Sequence, residues 1–334
     1  MRISRTSGNL VGLCASIVAL AGCSTSGSLS DLGSGPSSTR PNAQPPTLAR
    51  ASRVTRTSHP DLTRSWMAPE AKEGRLLYVS DSGTNDVYIY TYPRFKLVGT
   101  LTGFSEPQGI CPNKTGDVWI ANTGESNLVE YAGTNPIATL NDPGEYPDAC
   151  SVDGVTGNLA ASNILSTGDG PGSLSIYRHA AGSPHVVEAF ARDYFVTYDP
   201  KGNLFMDGES SSDDTFGLGE IPKGSKKFEQ LSISGATIEF PGGLQYADGN
   251  LALGDQSNAV IYQLAVSGSV ATVVGTTELL GASDVVTFFI LGHVVVCVDA
   301  GNADIEIYKY PAGGYPIRII HVPLSEPIGL AIAR

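Results

Sequence analysis

The sequence predicts an all-β fold, a six-bladed β-propeller, and three observations predict it. Residues 107–142 resolve into four short apolar or alternating runs, at 109–112, 117–121, 128–131 and 136–140, separated by segments rich in Gly, Asn and Thr. Runs of Val, Ile, Leu and Tyr bounded this way are strand–turn–strand signals, because Gly, Asn and Asp tolerate positive φ or bond their own backbone. The pattern then returns. The anchors Pro107, Pro147, Pro241, Ser283 and Pro327 are spaced 40, 94, 42 and 44 residues apart, and 94 is two repeats of 47. A four-stranded unit of that length cannot bury both faces alone, and radial stacking solves the problem. Third, the final segment Glu326-Pro-Ile-Gly-Leu-Ala-Ile-Ala333 repeats Glu106-Pro-Gln-Gly-Ile but has no unit behind it, whereas the first unit lacks a first strand. Pairing the C-terminal strand with the first blade closes the ring and removes its edges.

Taken in order, residues 1–22 form a signal peptide: Arg2 and Arg5 make a basic start, and 10–21 make an apolar run too short to span a bilayer as a stable helix. Leu20-Ala-Gly-Cys23 resembles the bacterial lipobox residue for residue. That resemblance implies cleavage after Gly22, acylation of Cys23 (palmitate among the chains) and a lipid-anchored, extracytoplasmic protein of the bacterial cell envelope. Ser24 rather than Asp follows, which implies the outer membrane, facing the periplasm or the surface, in a diderm host. Residues 23–65 read as a disordered Ser/Pro/Arg-rich tether, because this composition cannot bury enough surface to offset chain entropy. Its arginines make residues 1–65 carry seven Arg and two Asp, or +5; the remainder carries 14 Lys plus Arg against 31 Asp plus Glu, or −17. So acidic a body repels phosphates, which argues against nucleic acid as a partner.

Residues 66–334 are the expected propeller. The first unit supplies strands near 76–81, 86–90 and 95–101, and 107–142 is the second. The third uses 147–152, 158–162, 173–177 and 185–190, and the fourth, with the faintest pattern, 194–198, 203–207, 218–221 and 228–233. The fifth runs through 243–246, 250–253, 259–264 and 271–274, the sixth through 284–289, 293–298, 305–308 and 317–322. Thr115-Gly-Asp, Thr156-Gly-Asn, Lys201-Gly-Asn and Asp248-Gly-Asn each mark a turn between first and second strands. The sequence Pro-x-Gly-Ile, then Gly-Asp-Val-Trp-Ile-Ala-Asn, then Asn-Leu-Val-Glu-Tyr resembles the repeats of NHL-type six-bladed propellers, as found in bacterial propeller lipoproteins. The resemblance implies the fold and leaves the activity open.

Innermost strands line the channel of such a fold, and aligning on the anchors places Gln108, Asp148, Tyr194, Gly242, Asp284 and Ile328 at equivalent mouth positions. Gln108, Asp148, Tyr194 and Asp284 are the ligand candidates. Asp148 and Asp284 belong to units three apart, so they are expected to face each other, where two carboxylates with further oxygens suit a hard cation such as Ca²⁺. The similar calcium-dependent lactonases use a Glu, Asn and Asp set that does not map completely here. Solvation of both carboxylates at the mouth is the competing reading. Asp81, Asn122, Asn163, Asp255 and Asp299 follow the second strands and read as turn residues. Tyr88, Tyr90, Tyr131, Tyr177, Tyr262 and Tyr308 recur in third strands as packing between blades, and Trp119 reads as core. Cys111 and Cys150, on neighbouring inner strands, suit a disulfide in a compartment that permits oxidation; Cys297 reads as a buried thiol.

Two functions remain in view. The first is a binding module for an envelope protein, peptide or glycan, with no cofactor. The second is a metal-dependent lactonase or other hydrolase working at the channel mouth; a repeat scaffold is a third possibility.

Overall fold

The computed structural model describes residues 64–72, 74–210 and 215–334. The signal peptide, Cys23 and nearly all of the tether lie outside the described residues. Within them, short strands alternate with turns, and three 3₁₀ segments (Pro69–Lys72, Thr123–Glu125 and Arg178–Ala180) interrupt the pattern. No described helix is long and apolar enough to cross a membrane.

The turn signatures act as their chemistry dictates. The Asn113 Oδ1 accepts the backbone N–H groups of Thr115 and Asp117 at 2.8 and 3.0 Å, and Asp199 Oδ1 accepts those of Lys201 and Asn203 at 2.8 Å. Gly116 and Gly202 complete these turns at φ +95° and +90°, a region costly for any residue with a Cβ.

Antiparallel pairing of consecutive strands produces five hydrogen-bonded sheets among the described residues. The closing sheet orders Trp66–Met67, Leu97–Leu101, Asp86–Tyr92, Arg75–Asp81 and Pro327–Ala333, so the C-terminal strand lies against the first unit. Its ladder runs from Leu76 opposite Ala333 to Asp81 opposite Pro327. The second sheet spans 107–141, the third 145–187 and the last 285–321, each with four strands. The remaining sheet has eight strands, from two antiparallel runs (192–234 and 241–278) joined by a parallel ladder of Ser232–Ser234 with Val270–Thr272. Sequence periodicity implies separate units; this ladder merges two of them because their exposed outer strands lie side by side and pair.

The inner strands Pro107–Pro112, Glu145–Val152, Arg192–Tyr198, Pro241–Ala247, Val285–Leu291 and Pro327–Ala333 touch one another in cyclic order. Apolar layers fill the spaces between neighbouring four-strand runs. Trp119, 1 % exposed, packs with Leu128, Leu159 and Tyr177 between the second and third sheets. Tyr90, Tyr131, Tyr177 and Tyr308 are buried in such layers, and Tyr88 and Tyr262 pack against them. Cys297 is a buried free thiol.

Three local readings need correction. Trp66–Met67 add a fifth strand that the sequence pattern does not reveal, because two residues carry no alternation. The outer strand expected over 185–190 stops at Val187, because Phe190 turns inward: its ring fills the space that Gly208 and Gly217 leave free. The strand expected from Asp284 starts at Val285, because the Asp284 N–H goes to the Asp299 carboxylate instead of the ladder.

Candidate functional site

The recurring Asp and Asn residues at the ends of the second strands build the frame of the channel mouth. Asp299 accepts the N–H groups of Ser283 (2.7 Å), Asp284 (3.0 Å) and Asn302 (3.1 Å). Asp255 does the same for Glu239 and Phe240, Asp81 for Ser325 and Glu326, and Asn122 for Ser105. Each side chain thus fastens the segment leading into an inner strand. These four groups are buried and their acceptors are occupied, which is a structural role; Asn163 departs from the turn reading, its amide N–H groups bonding Asp142, Ser173 and Ser175 while its buried Oδ1 has no partner among the described residues.

Ladder register gives the equivalences that sequence spacing only approximates. Immediately before the bulge that each inner strand carries, Pro107 faces Asn122, Pro147 faces Asn163, Asp193 faces Gly208, Pro241 faces Asp255, Val285 faces Asp299 and Pro327 faces Asp81. The next residues inward are Gln108, Asp148, Tyr194, Gly242, Val286 and Ile328. Tyr194 therefore holds the place that spacing assigns to it, its carbonyl accepting the Ser162 hydroxyl as that of Gln108 accepts the Ser80 hydroxyl, while Val286 takes the place assigned to Asp284. Ser283 lies two residues before its strand, so the Asp284 assignment slips by one.

Gln108 and Tyr194 are half-buried at the mouth, and Asp148 is buried. The Tyr194 ring packs at 5.9 Å from that of Phe240, which is 40 % exposed. Arg192 Nε lies 3.8 Å from Glu209 Oε2, and Glu209 also acts on the Tyr194 hydroxyl, whose pKa burial and this carboxylate raise. An aromatic pair beside an ion pair offers stacking, hydrogen-bond and charge contacts to a ligand.

Behind this rim lie three carboxyls with no cation beside them. Burial pushes Asp148 up to about 7 and Asp193 up to about 8, the latter with help from Glu145. Asp207 is raised well above the usual carboxylate range, by burial first and then by Asp148 and Asp193. Asp207 Oδ1 accepts the Phe195 N–H at 2.9 Å, but among the described residues its Oδ2 and both oxygens of Asp193 have no partner at full hydrogen-bond geometry. Asp284 behaves differently: it is half-buried, and after burial the charge that raises it is that of Asp299. The structure thus groups Asp148 with Asp207 and Tyr194, not with Asp284. Among the described residues, no three His, Cys, Asp or Glu side chains converge as a metal site would require.

Sequence spacing does not reveal Asp193, Asp207, Arg192, Glu209 or Phe240. One signal for Asp207 was present. It sits one residue before Gly208, the ladder partner of Asp193, where the other repeats place Ser80, Ala121, Ser162, Gly254 and Val298. The Ser80 and Ser162 hydroxyls accept the Gly329 and Ala149 N–H groups as Asp207 accepts that of Phe195, and this likeness shows only once the ladder register is known.

Inside the mouth, a cavity of about 120 Å³ is lined by residues of every inner strand, including Ile110, Phe195, Leu244, Phe288 and Leu330. Cys111 and Cys150 also line it and form a disulfide between neighbouring inner strands, with Cα atoms 5.6 Å apart. The described histidines lie elsewhere: His321, for example, pairs with Asp304 on an exposed outer strand.

No family model matches this sequence, and no curated protein matches it. Solved structures do match. A chain of a nidogen/laminin complex superposes with a TM-score of 0.64 at 12 % identity, covering 78 % of this chain and 99 % of that one. A protein of unknown function from Bacteroides caccae gives 0.60 at 13 % identity, covering 78 % and 100 %. A functionally unknown protein from Desulfotomaculum acetoxidans DSM 771 gives 0.54 at 7 %, covering 78 % and 99 %. The fold is a β-propeller. At such identities the likeness carries the fold and no activity.

Proposed function

We propose that this chain is a six-bladed propeller lipoprotein of the bacterial envelope that binds an extracytoplasmic ligand at its channel mouth. The six-blade count is supported by the inner strands, which touch in cyclic order around one cavity; the eight-stranded sheet is then two blades joined at their outer edges. Lipid anchoring rests on Leu20-Ala-Gly-Cys23 and the tether after it. Several acyl chains hold a protein stably where one would not. The observation that carries the binding reading is the Tyr194–Phe240 pair, with Phe240 open to solvent beside the Arg192–Glu209 pair. Partners that suit this rim are an envelope protein, a peptide or a glycan.

The metal-dependent lactonase or hydrolase takes second place. It relies on Asp148 and Asp284 with Ca²⁺, and the charge acting on Asp284 comes from Asp299 instead.

Two experiments test the proposal. Labelled palmitate is expected to enter the wild type and not Cys23→Ala, with only the wild type found in the membrane fraction. Equal labelling would refute anchoring at Cys23. For binding, solubilised wild type and Tyr194→Ala/Phe240→Ala are used to capture components of the envelope fraction. A component retained by the wild type and lost by the variant supports the mouth; retention by both places binding elsewhere and overturns the assignment.

A further inference from the structure

The two ends of the propeller differ in charge. Inner strands start at the mouth and second strands end there, so two families of loops share that face: those entering inner strands and those joining second to third strands. Glu106, Glu125, Asp169, Glu239, Asp284 and Glu326 lie in these loops, at exposed or half-buried positions. Among the described residues, the same loops contain no Lys, Arg or His. The bases near this face among the described residues include Arg192, turned toward Glu209, His321, paired with Asp304, and Arg64, beside Ser65, whose hydroxyl accepts the Thr102 N–H. The loops at the opposite end hold Arg94, Lys114, Lys201, Lys223, Lys226 and Lys227. The acids of the mouth loops take no part in the ion pairs Lys96–Glu70, Arg192–Glu209 and His321–Asp304.

A second feature points the same way. Asp193, one residue inside its strand start at this mouth, is 0 % exposed, and among the described residues neither carboxylate oxygen has a partner at full hydrogen-bond geometry, although the Phe190 N–H acts on it to favour the charged form. Buried polar groups are normally satisfied, and a buried carboxylate without a counter-charge is costly. The electrostatic neighbour acting on it is another acid, Glu145. Positive charge brought to the rim would relieve this cost. Phe240 also offers an aromatic face, which attracts ammonium and guanidinium groups.

We propose that the mouth face docks a cationic partner, a Lys/Arg-rich segment of another polypeptide, through the ring of unpaired loop carboxylates and the exposed Phe240. The proposal rests on the binding-module reading above and names its ligand class. One-signed charge on one face accelerates encounter and orients the partner, and its strength falls with salt.

The test uses the full-length protein and a fluorescent deca-lysine peptide followed by anisotropy at about 50 mM salt, where screening is weaker than at physiological strength. Saturable binding is expected in the wild type, and Glu239→Lys/Glu326→Lys is expected to weaken it by about tenfold or more. Asp248→Lys/Glu229→Lys makes the same change in net charge at exposed positions of the opposite end, and should change affinity by no more than about twofold. Equal weakening by both pairs would mean attraction by net charge alone and would overturn the face assignment. So would the absence of saturable binding in the wild type. If the peptide fails while envelope capture still depends on Tyr194 and Phe240, the cationic class falls and the binding module stands. If that capture is also independent of the two rings, both readings fall.

Discussion

Removal of the Asp81 side chain opens the ring where its two ends meet. Asp81 is 0 % exposed, and its carboxylate accepts the N–H groups of Ser325 (2.7 Å), Glu326 (3.0 Å) and Thr84 (3.2 Å). Two of these donors belong to the segment that leads into the closing strand Pro327–Ala333. Asp81→Ala strands three donors at once. A hydrogen bond to a charged group contributes about 1.5–3 kcal/mol, and water can reach the exposed Thr84 turn, so the loss should be about 4 kcal/mol. Against a typical total of roughly 5–15 kcal/mol, that is a large share. Urea unfolding of the wild type and the variant measures it, and amide exchange locates it. Exchange should accelerate first in Arg75–Asp81 and Pro327–Ala333, the strands that the clasp joins. Asp255→Ala is the control, because Asp255 fastens Glu239 and Phe240 within one continuous run and joins no chain ends. A loss below about 1 kcal/mol for Asp81→Ala, or acceleration spread evenly over all sheets, would refute the closure argument.

Further outcomes follow from the same structure. Asp148, Asp193 and Asp207 have folded-state pKa values above their unfolded value near 3.8, so the folded chain holds protons that the unfolded chain releases. Stability should therefore fall as pH rises from about 4 through 7–8, the rise of Asp148 alone corresponding to about 4 kcal/mol. Thermal melts across that range check the sign, and Asp193→Asn should flatten the slope; melting that is no lower at pH 8 than at pH 5 would contradict it. The Cys111–Cys150 bond closes a separation of 39 residues, so Cys111→Ser/Cys150→Ser should lose roughly 4 kcal/mol in the chain-entropy model, read by urea denaturation. Burial, followed by Glu306 and Asp299, raises the Cys297 thiol far above its usual range, so a thiol reagent should label it only after unfolding. Gly208→Ala places a Cβ about 2.1 Å from the Arg192 carbonyl oxygen, and should lower the melting temperature and loosen the neighbouring mouth.

The repeat was legible in the sequence because its causes are local. Gly116 and Gly202 mark turns through their own backbone freedom, Asn113 and Asp199 through side chains that bond neighbours two and four residues away, and the alternating runs carry strand period wherever they occur. Ring closure was legible as well, since the segment around Pro327 repeats that around Pro107 and no fold leaves such a strand unpaired at low cost. The candidate site was legible only in part. Gln108 and Asp148 fell at the mouth, because their units carry the Pro anchor that sets the register. Tyr194 falls there too, without a Pro anchor, whereas Asp284 precedes the strand whose ladder begins at Val285. Register depends on which carbonyl each N–H finds across a bulge, and spacing along one chain does not contain that information. The pairing of Tyr194 with Phe240, the solitude of the Asp193 carboxylate and the one-signed charge of the mouth loops were decided by tertiary structure alone. Each is a relation between residues many positions apart in sequence, and only closing the ring brings them to one face.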